Sequence, residues 1–353
     1  MFKKAMVKLE NGIKEILLKK ISFCKQASFR LLMSNLKDQY LFRATREELY
    51  WAYPLIKHSL HNLLKSWYDT KNWKQIERHL NGRRLLIKRD KNEWVFDVSS
   101  DHWTTLSGIL KAAELNVMVF REGKKFAWTD GEVRLFLRDR FLLGPDVSTV
   151  HEVFYEKVYS LPIDLDLSDY SVLDIGGYIG DSALWFVKQG AAEIHVYEPI
   201  PVNFEILEKN VDLNKELILR QRSRINIYYE GISDFEKEIQ VPYWGGPGTS
   251  LNESLEGKEV RRVKTTRLEK AFERTTKPIG LVKVDCEGCE FQIFSTHKDK
   301  GELLRQAKAY IVEVHGDLNK TKDIKTNLEK MGYSILQVEQ LDKRVFVLKA
   351  VRK

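Results

Sequence analysis

Residues 171–181, Ser-Val-Leu-Asp-Ile-Gly-Gly-Tyr-Ile-Gly-Asp, hold the clearest chemical signal in this chain. A short apolar run carries Asp174. Gly176, Gly177 and Gly180 follow, and a helix-forming segment opens at Asp181. Glycines in such a turn remove the Cβ atoms that keep a ligand off the backbone. The first N–H groups of the helix lack intrahelical partners and suit an anion. A second apolar run, Glu-Ile-His-Val-Tyr, leads to Glu198, 18 residues after Gly180. A carboxylate at the tip of a second strand suits the two hydroxyls of a ribose. The chemistry expected here is recognition of a nucleoside-containing cofactor. The dinucleotide spacing Gly-x-Gly-x-x-Gly fails because the first two glycines are adjacent, and no P-loop is present.

The elements that position these residues alternate. Strands are expected over 171–175, 193–198, 225–231, 280–285, 309–314, 334–339 and 344–350. Helices are expected near 181–189, 201–213, 298–307 and 320–331. Alternation predicts a parallel sheet with helices on both faces. Only Gln340-Leu-Asp-Lys343 separates the last two strands, too short for a parallel crossover, so they form an antiparallel hairpin. The expected fold is α/β, a doubly wound, Rossmann-like, seven-stranded sheet with an antiparallel C-terminal hairpin. A helical region (1–80) and a small mixed α/β segment (81–150) precede the main domain (151–353). In 81–150, strands are expected at 84–88 and 93–98, a helix over 101–116, and a hairpin about Asp130-Gly131. A further helix is expected near 148–159.

The cofactor turn resembles a known family. Asp174-x-Gly176-x-x-x-Gly180 is similar to the first motif of class I S-adenosylmethionine (SAM) methyltransferases. Asp174-Ile-Gly-Gly-Tyr-Ile-Gly-Asp-Ser-Ala resembles the Asp-Val-Gly-Ala-Asn-Ile-Gly-Asp-Thr-Ala pattern of the FkbM methyltransferases. Tyr197-Glu198-Pro199 with Asn203-Phe-Glu-Ile-Leu207, Gly231-Ile232-Ser-Asp234, Gly248-Thr-Ser-Leu251 and Thr265-Thr-Arg-Leu-Glu269 fit its later segments. So do Val282-Lys-Val-Asp-Cys-Glu-Gly-Cys-Glu290 and Ile311-Val-Glu-Val-His315, in order over about residues 165–350. The departures are Gly177-Tyr178, where Ala-Asn is usual, and Cys286 and Cys289, where small apolar residues are usual. The resemblance implies SAM as cofactor, with Asp174, Gly176 and Gly180 near its methionine part and Glu198 on its ribose. Gly177, Asp181, Gly231 and Ile232 complete the implied cofactor set. It also implies an acceptor hydroxyl on a sugar, glycan, glycolipid or secondary metabolite.

Methyl transfer needs an acceptor aligned with the sulfonium methyl, water excluded and often a proton removed. Asp285 and Glu287 follow the fourth strand and His315 ends the fifth, where a doubly wound sheet meets its ligands. A carboxylate accepts a hydrogen bond from an alcohol, and a histidine takes a proton near neutral pH. These three are the candidate catalytic or orienting groups. The alternative is that Asp285 and Glu287 only hold Lys283, turn backbone or the SAM amine. Cys286-x-x-Cys289 looks like a redox or zinc half-site without its second half and is read as two small packing residues. No metal is assigned. The glycine-rich loop 244–250 is expected to cover the acceptor.

Of 58 basic and 50 acidic residues, 11 and 3 fall in residues 1–46, so the remainder is electrically balanced. A balanced catalytic half weighs against a nucleic-acid enzyme, although an RNA methyltransferase stays as the rival enzyme. A SAM-binding scaffold without catalysis is the rival from another class. Residues 2–17 place apolar side chains at helical spacing among lysines. Two readings stand: helices packed on the domain or on a second subunit of a homo-oligomer, or a basic amphipathic helix on a membrane surface. No uncharged apolar run reaches 18 residues. Three cysteines, an odd number, make no disulfide framework, and a reducing cytoplasm is the simplest location.

Overall fold

The computed structural model describes residues 31–32, 41–42, 75–79, 84–89 and 92–97, and 108–353 apart from 109–110, 113–114, 123–124, 139–141, 162, 244–258 and 296–300. The chain divides into two compact units, Met1–Ser107 and Gly108–Lys353. The division expected at 150/151 falls inside the second unit.

In the first unit, β1 (Leu31–Leu32) pairs antiparallel with β2 (Leu41–Phe42). Strands β3 (Gln75–His79), β4 (Arg84–Arg89) and β5 (Asn92–Asp97) form an antiparallel sheet. Strands β4 and β5 stand where the sequence puts them. Strands β1 to β3 correct the expectation of helices throughout 1–80: in β3 the backbone ladder to β4 (Ile76↔Ile87) prevails over helical spacing. The stripe at 2–17, the helical run at 46–67 and the loop 244–250 lie outside the described residues, as does most of the 101–116 helix.

The second unit opens with the antiparallel sheet β6 (Val119–Glu122), β7 (Lys125–Thr129) and β8 (Arg134–Leu137). Helix α1 (Leu143–Val150) follows and continues as a π-helical turn, His151–Tyr155. The seven-stranded sheet has the order β11-β10-β9-β15-β16-β18-β17. Its parallel strands are β9 (Ser171–Ile175), β10 (Glu193–Tyr197), β11 (Arg224–Tyr228), β15 (Ile279–Val284) and β16 (Ala309–His315). Strand β18 (Val345–Arg352) runs antiparallel to both β16 and β17 (Tyr333–Asp342), as the short connector demanded. A side sheet joins β12 (Glu230–Ile232), β13 (Glu238–Pro242) and β14 (Val260–Thr266). Its helices are α2 (Asp181–Lys188), α3 (Pro201–Leu213), α4 (Lys215–Arg220), α5 (Leu268–Glu273), α6 (Cys289–Ser295), α7 (Gly301–Leu304) and α8 (Leu318–Lys330). No described helix is long and apolar enough to cross a membrane.

Two asparagines bind the small hairpin to this fold. Asn210 Oδ1 accepts the Phe136 N–H (2.7 Å), and its amide donates to Phe136 O (3.1 Å). Asn214 repeats the pair on Arg134, at 2.9 and 2.6 Å. Four helical residues rise about 6 Å and two strand residues about 6.6 Å, so the amides of Asn210 in α3 and of Asn214 at its C-cap match the backbone of β8 as a further strand would. Replacing Asn210 with Leu should strand buried backbone groups of Phe136 and Ile179 and destabilise the chain by about 1–3 kcal/mol. Urea unfolding with an unchanged midpoint would show that the ladder contributes nothing.

Candidate active site

Strand parity sets the floor of the site. Leu173 and Ile175 of β9 and Val282 and Val284 of β15 join an apolar cluster with α5, α6 and α8. Alternation turns Asp174 and Lys283 to the other face, and the register pairs them directly. Lys283 Nζ lies 3.2 Å from Asp174 Oδ1, with both side chains almost fully buried. It donates to the Gly176 carbonyl (2.5 Å) and stands 3.4 Å from Asp285 Oδ2. The other Asp174 oxygen accepts the Ser182 hydroxyl of α2 (2.6 Å). Burial works against the Lys283 charge, yet the carboxylates of Asp174, Asp285 and Asp181 hold its ammonium above its ordinary range.

The glycine turn is shaped by protein neighbours. Gly176 has φ +89°, and a Cβ there would lie 1.7 Å from the Asp285 carbonyl oxygen; one on Gly177 would meet Val196 at 2.2 Å. Both N–H groups donate to Tyr197 O at 3.0 Å. The expectation of glycines left open for a ligand is therefore corrected at Gly176 and Gly177: packing against Asp285 and Val196 needs their missing Cβ atoms, and the Tyr197 carbonyl occupies their N–H groups. Tyr178, left-handed at φ +45°, is secured at both ends. Its N–H donates to Glu198 Oε2 (2.9 Å) and its hydroxyl to Asp146 Oδ1 (2.8 Å), while the Arg138 guanidinium sits 4.5 Å above its ring. Arg138 is ion-paired with Asp146 (2.5 Å) and donates to Asn203, which donates to Glu198 Oε1 (3.2 Å). Burial pushes the Glu198 carboxyl up to about 7, against the donors Ile200, Tyr178 and Asn203.

Carboxylates crowd the opposite wall. Tyr159 donates to Asp285 Oδ2 (2.9 Å), and its hydroxyl is 3.4 Å from Glu313 Oε2. His315 Nε2 lies 3.1 Å from Glu287, 3.4 Å from Glu313 and 3.9 Å from Asp285, and Nδ1 lies 3.4 Å from Glu290. Burial opposes the imidazolium, but Glu287, Glu290 and Glu313 hold it far above its ordinary range. This environment favours the protonated imidazole, a form that suits the orienting role expected of His315 more than the base role. Burial, then Glu313 and Asp285, push Glu152 up to about 8, and burial and Asp285 raise Glu313. Asp285, Glu313 and His315 bring one potential metal-ligand atom each within 4.8 Å of one another. A metal needs the neutral imidazole, so this trio takes one up only by expelling the His315 proton.

Of the predicted residues, Gly176, Asp181, Glu198, Gly231, Ile232, Asp285 and Glu287 line one cleft of about 890 Å³, measured out to its open mouth. Asp174, Gly177, Gly180 and His315 do not line it. Asp174 is fully buried as the partner of Lys283, and His315 acts through Glu287 and Asp285. Sequence reasoning missed Glu152, Tyr159 and Glu313, and the Arg138–Asp146–Asn203 chain beneath Glu198. Glu313 had a signal: two residues before His315, it shares that face of β16. Cys286 and Cys289 are joined in a disulfide, with Cα atoms 5.5 Å apart, where packing residues and no disulfide were expected. The left-handed turn through Glu287 (φ +55°) and Gly288 (φ +122°) brings them within bridging range.

The profile of the methyltransferase FkbM domain matches residues 174–335. This segment is an FkbM methyltransferase domain. No curated protein matches the chain by sequence. Among solved structures, an FkbM methyltransferase from Methylobacillus flagellatus KT is similar at 14% identity and a TM-score of 0.41, over 59% of this chain and 51% of that one. This chain therefore spans about half the length of that protein. The N-terminal domain of human METTL16, solved in complex with SAH, is similar at 13% identity and a TM-score of 0.34, over 82% of this chain and 94% of that one.

The cofactor of an FkbM domain is SAM, and the cleft fits it. Glu198 keeps acceptor capacity beside its three protein donors, for ribose hydroxyls. Ile200 and Ile232 supply apolar surface for a base, and Asp181 and Asp285 suit the cationic centres. The pH response follows from the buried acids. Glu152 (about 8), Asp181 (about 7) and Glu198 (about 7) keep their protons in the folded chain at pH values where the unfolded chain, titrating near 4, has lost them. Stability contributed this way is complete in acid and is lost as pH rises through that window, and the raised His315 adds a loss above 6.5 in the same direction. The Tm of the ligand-free protein should fall between about pH 5 and about pH 8, and E152Q and E198Q should flatten the fall. A Tm that rises over that range would contradict these protonation states.

Proposed function

We propose that this chain is a SAM-dependent O-methyltransferase acting on a hydroxyl of a sugar, glycan, glycolipid or secondary metabolite. The observation that carries this reading is the carboxylate pair Asp285 and Glu313, bridged by the Tyr159 hydroxyl at the carboxyl ends of β15 and β16. Bound SAM supplies an electrophilic methyl on a positively charged sulfur. The chain's own residues do the rest. Glu198 anchors the ribose. Asp285, fixed by Lys283 and Tyr159, accepts a hydrogen bond from the acceptor hydroxyl and orients its lone pair. Glu313, with its raised affinity for a proton, takes up the hydroxyl proton as the new C–O bond forms. His315 and Glu287 hold these carboxylates in place.

The wall chemistry also supports a neutral acceptor over RNA. Among the described residues lining the cleft, Lys283 is the one cation, and Asp174 and Asp285 already use it. Carboxylates at such a mouth repel phosphate, whose neutralisation drives nucleic-acid binding. A basic, apolar segment at residues 1–46 would favour a lipid-linked acceptor near an anionic surface.

Two measurements test this reading. Replacing Glu198 with Ala should weaken SAM binding by about 1–3 kcal/mol, roughly 5- to 150-fold, and calorimetry showing unaltered affinity removes the ribose assignment. E313Q and D285N should lower kcat for a hydroxyl acceptor by about 10²- to 10⁴-fold, with SAM affinity changed far less. Full turnover in both variants would rule out carboxylate-assisted O-methylation.

A further inference from the structure

The Cys286–Cys289 disulfide is not used by the reaction above, yet both cysteines line the cleft, between Asp285 and Glu290. Cys286 is partly exposed, whereas Cys289 is 9% exposed. The two residues inside the loop both have left-handed backbones, Glu287 at φ +55° and Gly288 at φ +122°. Such a conformation is disfavoured for a non-glycine residue, and the covalent closure holds Glu287 where it meets His315 at 3.1 Å. The reduced form also has a partner in place. Cys286 Sγ lies 3.4 Å from Glu290 Oε2, an acceptor for a thiol hydrogen. The same carboxylate accepts the N–H groups of Gly288 (2.8 Å) and His315 (2.9 Å). Opening the disulfide therefore acts on the turn and on the His315 cluster together.

We propose that Cys286 and Cys289 are a redox-active disulfide on the acceptor wall, opened by low-molecular-weight thiols of the glutathione or dithiothreitol class, and that opening it releases the Glu287 turn and lowers acceptor turnover. The step balances with two thiols. One reductant thiolate attacks the accessible Cys286 sulfur, the S–S bond breaks, and Cys289 leaves as a thiolate and takes a proton. A second thiolate attacks the mixed disulfide, forms the reductant's own disulfide and releases Cys286, which is protonated in turn. Two electrons pass to the protein, and two thiols are oxidised to one disulfide.

The turnover arm rests on the methyltransferase reading, and the other arms do not. The full-length protein is equilibrated with oxidised or reduced glutathione, denatured, alkylated and mapped by mass spectrometry. Cys286 and Cys289 should be blocked in the oxidised sample and both alkylated in the reduced one. Hydrogen exchange of a peptide covering 284–291 should be faster in the reduced protein by tenfold or more, and equally fast in the C286S/C289S variant under both conditions. Turnover of a hydroxyl acceptor should fall severalfold on reduction in the wild type and should not respond to glutathione in that variant. Two free thiols after oxidation, or identical exchange in the two forms, overturns the proposal. Unchanged turnover despite a redox-dependent exchange overturns its effect on the reaction. Failure to methylate any hydroxyl counts against the function alone, since alkylation and exchange need no acceptor.

Discussion

A single buried ammonium connects the two halves of this site. Lys283 lies between the central strands β9 and β15, at the position that parity and register assign opposite Asp174. Desolvating an ion costs several kcal/mol, and Lys283 recovers it from three oxygens: Asp174 below, the Gly176 carbonyl beside it and Asp285 above. Those oxygens belong respectively to the sheet, the cofactor turn and the acceptor wall. The spacing between the cofactor side and the acceptor side is thus fixed by the reach of one side chain. The 1.7 Å approach that a Cβ on Gly176 would make to the Asp285 carbonyl shows how close the two segments come.

Charge is the second organising constraint. Glu152, Asp285 and Glu313 face one another, and their repulsion, added to burial, raises the carboxyls of Glu152 and Glu313. His315 offsets part of the excess from behind the wall. The remaining negative charge favours a cofactor that brings a sulfonium and an ammonium.

Much of this was legible in the residues. The connector Gln340–Lys343 dictated an antiparallel last pair, and the alternating apolar runs gave the strands. Asp285 and His315 stood out because they end strands in a fold whose ligands gather there. What escaped is non-local. Tyr159 meets Asp285 across 126 positions of sequence, and Arg138 meets Asn203 across 65, distances over which no periodicity carries information. Four of the missed residues, Arg138, Asp146, Glu152 and Tyr159, precede the parallel sheet, in a segment whose own pattern shows only strands and a helix. The glycines were legible as a turn, but their reason was not: the atoms that exclude a Cβ come from Asp285 and Val196. Likewise the left-handed pair Glu287–Gly288, which closes the disulfide, leaves no mark in the spacing of the cysteines.

The asparagine ladder has a consequence for the order of events during synthesis. Strand β8 finds its partners Asn210 and Asn214 only 74 to 80 residues later in the chain. At about 5–20 residues per second on a ribosome, the hairpin waits roughly 4 to 16 seconds with its outer edge unpaired. An unpaired strand edge is a template for other chains. The short length of β8, four residues, limits that exposure. The hairpin β6–β8 therefore reaches its final place only after α3 has been made, and its birth is a race between helix synthesis and misplaced strand pairing.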